Sequence, residues 1–97
     1  MTRRDLPRGT QAAQLIHAAG HSSPGTNLPS GTYAIALSCQ DEAELRSLSE
    51  RLEVAGIPHH RINEPDEPYN GQLMAIGLPP AYKSTYRRYI SNLPLIK

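Results

Sequence analysis

The sequence predicts an α/β protein: a three-layer α/β/α sandwich on a small mixed sheet, with a short or truncated first strand. Three observations predict it. Helical and strand periodicities interleave in the order helix, strand, helix, strand, strand, helix, which belongs to a layered α/β domain. Residues 32–39 are apolar or small on both faces, as in a strand covered on two sides. Only Met1 to Arg4 precede the segment leading into the first helix, fewer than the usual five or six residues of a strand. At 97 residues the chain is expected to form one domain, residues 1–97.

The first helix is predicted over residues 9–20, opened by Pro7 and closed at Gly20. Ala12, Ile16 and Ala19 recur at i, i+4 and i+7, a small-residue stripe suited to lying on a sheet, with Thr10, Gln14, His17 and His21 opposite. Residues 22–31 are rich in Ser, Pro and Gly and form a loop. The strand at 32–39 alternates Tyr33, Ile35, Leu37 and Cys39 with small residues and should be central in the sheet. Asp41 followed by Glu44 reads as a capping box. Leu45, Leu48, Leu52 and Ala55 then give a core stripe that ends at Gly56. Residues 57–62 make a short strand that Pro58 pushes toward an edge. An acidic, proline-rich loop at 63–71 ends in an Asn70, Gly71 turn before a strand at 72–77. Pro79 and Pro80 precede a last helix over 81–91, with Tyr82, Tyr86 and Ile90 on one face.

Composition narrows the function classes. Apolar residues are 38% and charged residues 20%, with five Tyr and neither Phe nor Trp, a lean but globular balance. The single cysteine, Cys39, excludes an internal disulfide framework and any CxxC motif, so a reducing, cytoplasmic setting is expected. No run approaches the length of a membrane span and no signal-peptide core follows Met1, so a soluble protein with no membrane partner is expected. Net charge is +1 but unevenly placed. Arg3, Arg4 and Arg8 against Asp5 leave residues 1–20 at +2, and residues 82–97 stand at +4. Residues 41–53 sum to −3 and residues 61–70 to −2. If the two ends meet they form a basic face suited to a polyanion.

Several residue groups could carry chemistry. His17 and His21 have the i, i+4 spacing of two metal ligands, but no Glu of an HExxH motif and no helpful carboxylate or Cys accompanies them, so no metal site is expected. Arg8, Gly9 and Thr10 at a helix N-terminus offer amides, a small residue and a cation, which together suit a phosphate. No GxxxxGK[ST] loop, GxGxxG fingerprint or Gly-x-Ser-x-Gly elbow is present. Glu64, Asp66 or Glu67 could serve as a general base if held beside an imidazole. Cys39 reads as a core residue, and Lys83, Arg87 and Arg88 interleave with Tyr82, Tyr86 and Tyr89 as on some nucleic-acid surfaces.

The ordered run Arg4, Asp5, Leu6, then Arg8 through Gln14, then His17, Ala18, Ala19 resembles the opening of the class II peptidyl-tRNA hydrolases, whose first helix reads Ala-Ala-Gln-x-x-His-Ala. The likeness continues through Asp41 and Glu42 opening a Leu-rich helix, the strand end Ala75, Ile76, Gly77, the pair Pro79, Pro80, and a closing Leu93, Pro94, Leu95. The resemblance implies hydrolysis of the ester joining a peptide, or an N-blocked amino acid, to tRNA in translation and ribosome rescue, without metal or cofactor. It assigns His17 and Glu64 to catalysis, and Arg4, Asp5, Arg8, Gly9, Thr10 and Gln14 to substrate binding. Two departures mark a divergent branch, closer to hydrolase-domain-containing relatives. The family lysine falls at Thr10, with Arg8 the nearest cation, and the family loop that supplies an acid and a threonine is replaced by residues 63–68. The alternative is a tRNA- or RNA-binding module of the same fold without turnover. A homodimer is a further expectation, since a stub first strand leaves a sheet edge for a partner to cover.

Overall fold

The computed structural model describes residues 1–25 and 28–97; Thr26 and Asn27, within the loop expected at 22–31, lie outside the described residues. The chain folds as an α/β structure in the order β1 (Thr2–Arg3), α1 (Arg8–Ser22), β2 (Ser38–Cys39), α2 (Glu42–Val54), β3 (His60–Glu64), β4 (Gln72–Gly77) and α3 (Lys83–Ile90). The sheet is mixed, ordered β2-β1-β4-β3. Thr2 pairs in parallel with Ser38 and antiparallel with Ala75, and β3 and β4 form an antiparallel pair. The short first strand is therefore real, and it is central. Helix α1 packs on β4, β3 and β1, while α2 packs on β4, β1 and β2 and carries α3 beside it. No helix among the described residues is long and apolar enough to cross a membrane.

The main core lies under α2. Leu45, Leu48 and Leu52 meet Met1, Leu37, Cys39, Leu73 and Ile76, with Tyr89 and Ile90 of α3 and Leu93 packed at its margin. The cap of α2 forms as its sequence requires. The Glu44 amide donates to Asp41 Oδ1 at 2.9 Å, and Glu44 Oε1 accepts from the Gln40 amide at 2.8 Å. Gly56, at φ 72°, provides the left-handed residue that ends the helix. Ala55, expected in the core stripe, is exposed because that position belongs to the departing cap; Ser49 is buried in its place.

All six residues of β4 are half-buried or buried because the strand lies inside the sheet and both α1 and α2 pack on it, and a bulge adjusts which of them face the core. Pairing runs Ile62 with Ala75 and then Asn63 with Leu73, so Met74 is an extra residue on β4. Leu73 and Ile76, three apart, thereby reach the same core. Side chains from other elements satisfy the backbone groups the bulge displaces. The Leu73 amide donates to Glu42 Oε2 at 2.7 Å, the Thr2 hydroxyl donates to the Met74 carbonyl at 2.7 Å, and Arg3 Nη1 donates to the Leu73 carbonyl at 3.2 Å.

Three expectations are corrected. The sheet-facing side of α1 is Gln14, Ala18 and Ser22, not Ala12, Ile16 and Ala19; Ile16 is 73% exposed. The reason is the close approach of α1 to Gly77, where an added Cβ would lie 2.3 Å from the Ala18 carbonyl oxygen. Residues 32–36 form no ladder, because β1 reaches only as far as Ser38 and Cys39, and β2 stands at the sheet margin rather than its centre. The C-terminal segment covers the far side of that margin: the Ser38 amide donates to the Pro94 carbonyl at 2.9 Å, and the Ile96 amide to the Ala36 carbonyl at 3.1 Å. Finally, Tyr82 is 87% exposed, and it is Tyr89 that packs at the core edge, because α3 starts only at Lys83.

Candidate functional site

Strands β1, β2 and β3 all run the same way, since β3 and β1 are each antiparallel to β4 and β2 is parallel to β1. Their carboxyl ends therefore open on one edge, the side of an α/β sheet where ligands usually bind. Of the expected site residues, Arg4, Asp5 and Glu64 lie there directly. Arg8, Gly9 and Thr10 join them, because α1 starts at that edge and runs back over the sheet.

The first turn of α1 is built for an incoming acceptor. Pro7 occupies the N-cap and supplies no side-chain oxygen, and no acidic residue stands in the first turn. The entry loop is fixed instead by Gln11, whose Nε2 donates to the Leu6 carbonyl at 2.7 Å and to the Arg4 carbonyl at 3.5 Å. Beside this turn lies a cleft of about 290 Å³ lined by Arg4, Arg8, Gln11, Ser38 and Lys97. Arg4, Arg8 and Lys97 form no ion pair among the described residues. A helix N-terminus with three exposed cations and no acidic side chain lining the cleft favours an anion. Gln11, Ser38 and Lys97 are additions that sequence reasoning missed: Ser38 and Lys97 reach the cleft only through the pairing of the C-terminal segment with β2, which has no local signature.

Asp5 has another role. Arg3, buried at the end of β1, holds it through two contacts of 2.9 Å, Nε to Oδ1 and Nη2 to Oδ2. The same guanidinium donates to Gln72 Oε1 at 2.9 Å. The guanidinium keeps the Asp5 carboxyl below the ordinary carboxylate range, so it is an ionised anchor for Arg3. Glu42 is likewise held down, first by the Leu73 amide and then by Arg46.

Gln14 is buried at the α1–sheet contact, and its Oε1 has no hydrogen-bond partner among the described residues. His17 stands exposed one turn further along α1 and makes no hydrogen bond among the described residues. Glu64 is half-buried at the end of β3, where its Oε1 accepts from the Asp66 amide at 3.1 Å. No hydrogen bond joins His17 to Glu64. The structure thus gathers Arg4, Arg8, Gly9 and Thr10 at one edge and leaves His17 and Glu64 as separate groups on neighbouring elements.

The one serine–histidine pair within hydrogen-bond reach among the described residues lies elsewhere. His59 Nδ1 is 2.9 Å from the Ile57 carbonyl, which can only accept, so Nδ1 carries a proton, and Nε2 lies in hydrogen-bond contact with the Ser49 hydroxyl, also at 2.9 Å. Ser49 is 1% exposed, which bars it from a substrate, and the pair ties α2 to the β3 approach. Burial likewise pushes the Cys39 thiol up to about 11, which removes it as a nucleophile at neutral pH. No group of three or more His, Cys, Asp and Glu side chains gathers as a metal site among the described residues. Comparison with protein-family models, with curated proteins and with solved structures gave no match in any of the three.

Proposed function

We propose that the protein is a peptidyl-tRNA hydrolase-like enzyme that cleaves the ester between a peptide, or an N-blocked amino acid, and tRNA. The observation that carries this reading is the cation-lined cleft at the uncapped start of α1, on the carboxyl edge of the sheet, with His17 two turns along the same helix. In this reading the amides of Arg8, Gly9 and Thr10, with Arg4 and Arg8, hold phosphate at the acceptor end of tRNA. His17 takes a proton from water as it adds to the ester carbonyl; the bond to the ribose oxygen breaks and the imidazolium gives that proton to the departing oxygen. Glu64 would orient the imidazole after a side-chain rearrangement, whereas Gln14, whose oxygen is buried at the α1–sheet contact, does not reach the substrate. Asp5 acts at one remove, by fixing Arg3. No cofactor enters the scheme.

A second reading has its own supporting observation. His17 has no oriented partner, Asp5 is committed to Arg3, and Glu64 accepts from its own loop, which suits a tRNA-binding module without turnover. Single-turnover release of a labelled N-blocked aminoacyl group from tRNA separates the two. The enzyme reading expects release by the wild type and a loss of about 100-fold or more in His17→Ala, the usual contribution of a general base, with unchanged circular dichroism. Tight, salt-sensitive tRNA binding without release would establish the module instead.

A further inference from the structure

Ser38 is a polar residue at a depth where strands usually carry apolar ones. Leu37 and Cys39 on either side of it enter the core under α2, so alternation turns Ser38 to the opposite face, the one on which α1 lies. Helix α1 packs there on β4, β3 and β1, which leaves Ser38 of β2 beside the helix, in the wall of the cleft that Arg4, Arg8 and Gln11 also line. The residue is 4% exposed, and its amide is committed to the Pro94 carbonyl, yet its hydroxyl makes no hydrogen bond among the described residues. Gln14 Oε1 is the one fully sealed side-chain polar atom without a partner there, so the Ser38 hydroxyl is not sealed: it opens on the cleft. A hydroxyl at this depth is ordinarily bonded, since an idle one costs stability, and its freedom here points to a ligand.

Other donors at the same place are also without partners. Intrahelical bonding in α1 begins with the Gln11 amide donating to the Pro7 carbonyl, so the amides of Arg8, Gly9 and Thr10 are free. A Cβ added at Gly9 would meet nothing within 4 Å, so the turn is open to a ligand there. Neither Arg4 nor Arg8 forms an ion pair among the described residues. The ligand must therefore satisfy backbone amides, a hydroxyl and two guanidinium groups together. A carboxylate has two oxygens with about four acceptor sites, and a phosphodiester likewise has two free oxygens. A terminal phosphate has three, and carries a charge of about −1.5 to −2. We infer that the cleft seats a terminal phosphate, either free phosphate or a phosphate monoester, and that Ser38 Oγ donates to one of its oxygens. This seat rests on the anion-binding part of the proposed function, and ester hydrolysis is no part of it.

Calorimetric titration of the whole chain with inorganic phosphate, repeated for Ser38→Ala, tests this. The expected result is saturable binding by the wild type and a Kd raised about tenfold or more in Ser38→Ala, at unchanged circular dichroism, as when a hydrogen bond to a charged group is lost. Dimethyl phosphate, a diester, should bind the wild type about tenfold or more weakly than inorganic phosphate. A wild type that shows no saturable binding up to about 10 mM phosphate overturns the inference, as does an affinity that Ser38→Ala leaves unchanged. If Ser38→Ala fails to fold, Ser38→Cys, close in size but a weak donor, takes its place with the same expected loss. A short oligoribonucleotide with and without a terminal phosphate then separates the sources: preference for the phosphorylated strand assigns the seat to a nucleic-acid end, and equal binding assigns it to free phosphate. Phosphate binding that persists when the wild type releases no aminoacyl group removes the hydrolase reading and leaves the seat intact.

Discussion

At Gly77 the absence of a side chain sets the distance between α1 and the sheet. A Cβ there would lie 2.3 Å from the Ala18 carbonyl oxygen and 2.8 Å from Ser22 Oγ, and the first of these is backbone that cannot swing aside. Gly77→Ala should cost about 1–3 kcal/mol, read as a lower denaturant midpoint at an unchanged slope. An unaltered midpoint would mean that α1 rides higher than described. Cys39 offers a second residue-scale test. Its thiol lies above its ordinary value of 9.0 because burial disfavours the thiolate. A thiol-specific reagent at pH 8 should label it only after denaturant is added. The folded state retains the proton where the unfolded chain gives it up, so this group's contribution to stability is present below about 9 and is lost as the pH rises through about 11. The burial of Cys39 was legible in the sequence, because it ends an apolar strand. The role of Gly77 was not: a glycine closing a strand does not reveal which helix lies over it.

Helix α2 and the β4 bulge hold each other in place. Glu42 is the first residue of α2 and accepts the Leu73 amide that the bulge turns away from its ladder. Glu42→Ala should cost about 1–3 kcal/mol by leaving that amide without a partner, and Glu42→Gln, which keeps an acceptor, should recover most of it. Denaturation of the two variants side by side checks this. The pH dependence has a definite sign. Glu42 and Asp5 both titrate below their ordinary values of 4.5 and 3.8 in the folded protein. Their contribution is therefore present above those values and is lost as the pH falls through and below them. The wild type should lose stability more steeply than Glu42→Gln below about pH 4.5. Elements with local signatures were readable: Asp41 and Glu44 for the α2 start, Gly56 for its end, Asn70 and Gly71 for the turn into β4. Elements defined by distant partners were not. The face of α1 depends on Gly77, and the fate of residues 32–36 depends on how far β1 extends.

Across the whole molecule, the cations at the two ends of the chain part company: Arg88 of α3 lies beside Arg51 and Tyr89 on the α2 side, whereas the fold brings Lys97 to the cleft that Arg4 and Arg8 line. If these cations meet phosphates, Arg8→Ala should weaken tRNA binding alike for all tRNA species and reduce the log–log salt slope by about 1, measured by anisotropy over a salt series. An unchanged slope would place the polyanion elsewhere. The closeness of Arg4 and Arg8 at the start of α1 was visible in the sequence, whereas the relation of His17 to Glu64 depends on side-chain geometry that spacing does not encode. The place of β1 also bears on how the protein is made. The Thr2 hydroxyl and the Met74 carbonyl it bonds are 72 residues apart, so the central strand is synthesised long before its antiparallel neighbour β4 exists. At about 5–20 residues per second a ribosome takes some 4–14 s to cover that interval. Until then the nascent β1 has only β2 to pair with, and α1 lacks β4 and its Gly77, so the two halves of the sheet join only when β4 is made.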